Sequence, residues 1–101
     1  MQEWTLDSFE QSLKEDEASA FYLYSSMCGT CQVASKMLTI VEQLLPHYPM
    51  GQANLNFHAA IAEKYQVESV PCLIIQRGGQ VQKKIYAFQS VPYLLEQLKG
   101  E

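Results

Sequence analysis

The chain has 101 residues, 48% of them hydrophobic and 18% charged, and its seven Lys and Arg against eleven Asp and Glu leave a net charge of −4. That length fits one domain, residues 1–101, able to bury about 60–70% of the unfolded chain's surface, and the composition excludes a disordered chain. An acidic balance argues against nucleic acid or an anionic membrane as a partner, and no apolar run approaches the ~20 residues of a membrane-spanning helix.

The first ten residues, Met1 to Glu10, carry acids and no continuous apolar stretch. No secretory leader is expected, and the default compartment is the cytosol. Leu6, Phe9 and Leu13 recur at helical spacing behind Thr5, which suits an N-cap. Ala20-Phe21-Tyr22-Leu23-Tyr24 is uncharged and aromatic-rich and reads as a buried strand. Ser25, Ser26 and Gly29 mark the loop after it. From about Cys28 the pattern turns helical, with apolar Val33, Met37, Ile40, Val41, Leu44 and Leu45, until Pro46 stops it.

Met50 to Leu55 reads as a strand diluted by Gly51, Gln52 and Asn54, and Asn56 or His58 opens a helix over the alanines that follow. Val70-Pro71-Cys72-Leu73-Ile74-Ile75 is a second strongly apolar strand. Gly78-Gly79 is a hairpin turn, Val81 to Ile85 returns, and Val91 to Lys99 closes as a helix with Leu94, Leu95 and Leu98 on one face. Helical crossovers join the first three strands, which are therefore expected to be parallel, while the final hairpin is antiparallel. The expected class is α/β, a central four-stranded mixed sheet flanked by helices on both faces.

Three cysteines in a reducing compartment do not make a disulfide framework. Two of them form Cys28-Gly29-Thr30-Cys31 at the point where a buried strand hands over to a helix. The first backbone amides of a helix lack internal partners and the dipole there is positive. A thiolate at that place is favoured, below the free thiol's value of about 8.5. Three residues on is almost a full turn, so Cys31 stands within disulfide reach of Cys28. Cys28 at the exposed tip is the candidate nucleophile, and Cys31 inside the first turn the candidate resolving thiol. Two other readings stand beside this one: coincidental packing, and half of a zinc site completed from Cys72, His47 or His58.

Taken together, the apolar strand into Cys-Gly-x-Cys, the long helix after it, the Val70-Pro71 step and the Gly-Gly turn resemble thioredoxin over nearly the whole chain. The resemblance implies a thioredoxin-like fold and a cis Val70–Pro71 bond packed against the sulfurs. It places the Val70 backbone where an extended substrate peptide pairs by strand addition, and it lets Pro71 keep metal from the sulfurs. The implied activity is thiol–disulfide exchange without metal or organic cofactor. Its substrates are disulfide-containing proteins or low-molecular-weight thiol adducts, and a reductase or small thiol restores the dithiol. A monomer is expected. A redox-inactive adaptor of the same fold, and a metal or iron–sulfur carrier through Cys28 and Cys31, are the alternatives.

Departures from the family are specific. Met27 stands where thioredoxin has Trp before the first cysteine, and Gly29-Thr30 where it has Gly-Pro. The Thr30 hydroxyl is within range of bonding a sulfur, and loss of the proline implies a less reducing couple than thioredoxin's approximately −270 mV. Tyr22 matches the family's buried acid and Gln52 its lysine partner, so the proton acceptor for resolution is missing; Tyr is a poor base at neutral pH. Lys36 replaces the helix-kinking proline. Cys72 reads as a small buried hydrophobe or, alternatively, a third thiol near the site. Met27 and Val70 are the candidate substrate-binding residues, with Tyr24 and Phe88 as further members of an apolar docking patch. Ala87 stands where the family tends to have glycine, which implies tighter access. Trp4 is expected over a helix edge, and His47 and His58 at element ends rather than in catalysis.

Overall fold

A computed structural model describes residues 1–100. The elements run β1 (Gln2–Glu3), α1 (Leu6–Glu15), β2 (Ala18–Tyr24), α2 (Gly29–Leu44), β3 (Met50–Asn54), α3 (Ala59–Tyr65), β4 (Cys72–Arg77), β5 (Gln80–Ile85) and α4 (Val91–Lys99). The sheet has five strands in the order β1-β3-β2-β4-β5, one more than the four the sequence suggests. The extra strand, β1, is only Gln2 and Glu3, paired in parallel with Gly51 and Gln52. Two exposed polar residues carry no alternation, and their extended form comes from the edge of β3 to which they bond.

Strand direction also differs from expectation. β2 and β3 are parallel, from Ala20 opposite Met50 to Tyr24 opposite Asn54, but β4 runs antiparallel to β2, with Leu23 opposite Cys72 and Ala18 opposite Arg77. The reason is length. At sixteen residues α2 reaches back along the sheet. Its partner α3 has seven residues and spans about 10 Å, less than the strand it follows. The chain therefore re-enters the sheet at the end it left. That reversal sets the start of β4, and with it Pro71, beside the end of β2 that leads to Cys28.

Strict alternation divides the core. Ala20, Tyr22, Leu73 and Ile75 face α2 and α4, meeting Ala34, Leu38, Val41, Leu94 and Leu98. Phe21, Leu23, Cys72 and Ile74 face α1 and α3, meeting Phe9 and Ile61. Helices thus cover both faces. Of the apolar positions read in α2, Val33, Ile40 and Leu44 are exposed, and the residues turned to the sheet are Cys31, Ala34, Leu38 and Val41. Trp4 covers the sheet and not a helix edge: its ring tilts against Phe21 at 5.9 Å and lies so close over Gly51 that a Cβ there would fall inside the indole.

Turn and cap chemistry match their positions. Thr5 forms a capping box with Ser8. Gly78 and Gly79, both at positive φ, make the β4–β5 hairpin turn. Ser90 caps α4 by accepting the Tyr93 amide. No helix among the described residues is long and apolar enough to cross a membrane.

Candidate active site

The site lies where β2, α2 and the start of β4 meet. Cys28 is the N-cap of α2, in extended backbone conformation, and its Sγ accepts the Cys31 amide at 3.2 Å. This is the position at which helix amides and dipole stabilise negative charge on sulfur. Cys28 and Cys31 are joined as a disulfide, with Cα atoms 5.3 Å apart. Cys28 is half-buried, while Cys31 is 4% exposed. Gly29 and Thr30 are exposed, and Thr30 Oγ1 lies 3.4 Å from Cys28 Sγ.

The Val70–Pro71 bond is cis, and both residues are half-buried beside the cysteine loop. Pro71, Thr30, Val33, Met37, Ala87 and Gln89 line a groove of about 360 Å³ between α2 and the loop before α4. Ala87 is exposed on its wall. Met27 is 90% exposed.

The apolar patch read from the sequence is only partly assembled. Phe88 is 6% exposed, its ring edge-on to Tyr22 at 5.9 Å, so it belongs to the core. Tyr24 stacks on Tyr22 at 5.7 Å and directs its hydroxyl to the Glu3 carboxylate at 3.4 Å. The exposed aromatic at this end is Phe57, 79% exposed, which the sequence reading passed over. Its loop is tied to the cysteine loop: Asn56 Oδ1 accepts the Ser26 amide at 3.3 Å, and Asn54 Nδ2 donates to Ser26 Oγ at 2.9 Å. Met27 and Phe57 each follow a residue of that junction. A bare aromatic in an Asn-rich loop directly after a buried strand is the signal that marks it.

Beneath the disulfide, Tyr22 is fully buried. Its hydroxyl donates to the Cys31 carbonyl at 2.8 Å and accepts from Ser35 Oγ at 3.0 Å. Burial pushes the phenol's pKa up, against a smaller lowering by Ser35. Gln52 stands opposite Tyr22 in the β2–β3 register but makes no bond to this network, and donates to Glu3 at 2.5 Å across the β1–β3 pair. His47 is exposed after α2, and His58 stands at the N-cap of α3 without a side-chain capping bond.

Cys72 follows Pro71 in sequence but faces away from the site. Alternation along β4 sends it, with Ile74, to the α1/α3 side of the sheet, where it is a free, fully buried thiol. Burial pushes its pKa up to about 11, with Tyr86 and Lys84 opposing weakly. No group of three or more His, Cys, Asp or Glu able to hold an ion occurs among the described residues, and Cys72 does not complete a ligand set with Cys28 and Cys31.

The state of Cys72 has a measurable consequence. Reduced native protein at pH 8 is expected to give one fast-alkylating thiol, Cys28, a slower one at the buried Cys31, and a third, Cys72, that appears only in denaturant. The sign of its stability effect follows from the raised value. The unfolded chain releases this proton from about pH 9, while the fold retains it to about 11. Stability contributed by the neutral thiol is full below that window and declines as pH rises through it. Three equally fast thiols in folded protein would contradict this placement.

Comparison with known proteins agrees with this geometry. A family profile described as thioredoxin matches residues 1–99. The chain is 46% identical over 99 residues to the thioredoxin-like protein YusE of Bacillus subtilis, covering 98% of this chain and 89% of that relative. It is 27% identical over 71 residues to a thioredoxin of Chlamydia pneumoniae, covering 70% of each. Among solved structures, mitochondrial thioredoxin 3 of Saccharomyces cerevisiae in its oxidised form superposes with a TM-score of 0.88 at 22% identity, covering 100% of this chain and 95% of that one.

Proposed function

The chain belongs to the thioredoxin family, and on that premise we propose that it is a dithiol–disulfide oxidoreductase in which Cys28 attacks and Cys31 resolves. The observation that carries this reading is the asymmetry of the pair. Cys28 Sγ sits at a helix N-terminus with an amide aimed at it, and Cys31 is buried one turn further in. Reduced Cys28 attacks one sulfur of a client disulfide, and the client's other sulfur leaves as a thiol. Cys31 then attacks Cys28, and the client is released as its second thiol with Cys28–Cys31 oxidised. Two electrons pass from the dithiol to the client, and a reductase or small thiol returns them.

Clients fit as disulfide-bearing proteins or low-molecular-weight adducts. An extended segment over Pro71 meets the Val70 backbone on one side and the apolar wall of Val33 and Met37 on the other. Met27 and Phe57 are the exposed apolar side chains that flank Cys28 for its docking. Cytoplasmic, monomeric and cofactor-free action are parts of the same proposal.

The test is the reduction potential of the Cys28–Cys31 couple, measured by equilibration in glutathione buffer and alkylation. A value below about −230 mV describes a thioredoxin-like reductant, and one of about −200 to −120 mV a glutaredoxin-like or oxidising protein. Absence of a two-electron couple removes the oxidoreductase reading and leaves an adaptor of the same fold. Thr30 supplies an internal check. A hydroxyl donating to the Cys28 thiolate favours the reduced state and raises the potential. Thr30→Val is therefore expected to shift the couple by roughly 10–30 mV toward more reducing values, the scale of one hydrogen bond. A shift in the other direction would show that Thr30 does not act through the thiolate.

A further inference from the structure

The Tyr22 hydroxyl stands under the resolving cysteine, bonded to no carboxylate or imidazole among the described residues, and has two partners, both on α2. It donates to the Cys31 carbonyl at 2.8 Å and accepts from Ser35 at 3.0 Å. The ring is wedged between Tyr24, stacked at 5.7 Å, and Phe88, edge-on at 5.9 Å. No buried side-chain polar atom among the described residues lacks a partner. The hydroxyl therefore has one fixed orientation, with its proton committed to the Cys31 carbonyl and its lone pair to Ser35.

We propose that Tyr22 and Ser35 form a neutral clamp that positions Cys31 for resolution, so that resolution depends on placement and not on a protein base. The clamp ties the first turn of α2 to the middle of β2. It fixes the Cys31 backbone, and through it the direction of Sγ, toward Cys28. In resolution the Cys31–Cys28 bond forms and the Cys28–client bond breaks. The client sulfur departs with the electron pair and ends as a thiol, taking up the proton that Cys31 gives to water. Tyr22 keeps its own proton throughout, consistent with the upward push that burial gives its phenol. Tyr22 is a positioning residue: it touches the Cys31 backbone and not the sulfur.

This inference rests on the redox reading of Cys28 and Cys31, and its test separates the two. In oxidised and reduced glutathione at equilibrium, acid quench and mass spectrometry give the ratio of internal disulfide to glutathione adduct on Cys28. Multiplied by the glutathione concentration, that ratio is the effective concentration of Cys31. A proton-transfer group changes rates but leaves this equilibrium alone, whereas a positioning group changes it. Tyr22→Phe, which keeps the ring, is expected to lower the effective concentration roughly five- to tenfold. Ser35→Ala, at a half-buried site, is expected to lower it in the same direction by less, and Ser35→Thr to restore it. The Tyr22→Phe, Ser35→Ala double variant is expected to fall no further than Tyr22→Phe alone. An effective concentration within twofold of wild type in both single variants overturns the clamp. Wild-type protein that forms no internal disulfide in any glutathione mixture overturns the redox reading instead.

Discussion

Cys31→Ser is expected to convert the protein from a turning-over oxidoreductase into a trap. Incubated with cell extract and quenched with an alkylating agent, it should run on non-reducing gels as a set of adducts that collapse on reduction. The wild type, which resolves each adduct internally, should show few. The argument is geometric. Cys28 is half-buried at the α2 cap and meets the client; Cys31 is 4% exposed and meets only Cys28. Removing Cys31 leaves the first exchange intact and forces the second to wait for an outside thiol. Removing Cys28 leaves a buried thiol that client disulfides do not reach. In an insulin-reduction assay both variants are expected to lose roughly three orders of magnitude or more of turnover. Only Cys31→Ser should capture clients. Capture by Cys28→Ser in place of Cys31→Ser would reverse the assigned roles, and capture by neither would remove the exchange mechanism.

The sequence showed the cysteine site well because its signals are local. A strand without charge, a Cys-x-x-Cys at its end and a helix running to Pro46 lie in one continuous stretch. The hairpin was legible for the same reason, since two glycines at positive φ are what a two-residue turn requires. What escaped depends on distant contacts. β1 is a strand only because Gln2 and Glu3 lie against Gly51 and Gln52. The direction of β4 is set by the shortness of α3, and composition says nothing of where a chain re-enters a sheet. Strand β4 also begins at Cys72 and not at Val70, which leaves Val70 and Pro71 as loop beside the sulfurs. Phe88 looked available for docking, yet Tyr22 draws it into the core.

The same limit applies to the family comparison of single positions. Tyr22 matches the acid and Gln52 its lysine, but the structure does not leave the two as a weakened version of that pair. Gln52 turns to Glu3 at the sheet edge, and Tyr22 recruits Ser35 from α2. The partner of Tyr22 was not legible because it lies thirteen positions on, across the strand–helix turn. A periodicity argument reads faces of one element and does not pair residues of two.

The largest expected effect on stability comes from a residue far from the sulfurs. Gln76 is fully buried in β4 and is the hub of a polar network. Its Nε2 donates to the Ser12 carbonyl at 3.3 Å, the Asp16 carbonyl at 3.2 Å and Ser19 Oγ at 3.0 Å, while its Oε1 accepts the Gly79 amide at 3.1 Å. Ser12 Oγ completes the set at 2.8 Å from Ser19 Oγ. One amide thus fastens the end of α1, the start of β2 and the hairpin turn to the middle of the sheet. Gln76→Leu keeps nearly the same volume but takes this partner from the half-buried Gly79 amide and Asp16 carbonyl, and leaves the buried Ser19 hydroxyl with Ser12 alone. Each such loss costs about 1–3 kcal/mol, so a total of about 2–4 kcal/mol is expected, or roughly 10–20 °C in Tm for a domain of this size. Urea unfolding at pH 7 measures it. Because the hub sits at the opposite end of β4 from Pro71, the glutathione equilibrium of the folded variant should match wild type. A variant as stable as the parent would show that water replaces the amide. A variant with an altered redox equilibrium would show that this end of β4 is coupled to the cysteine pair.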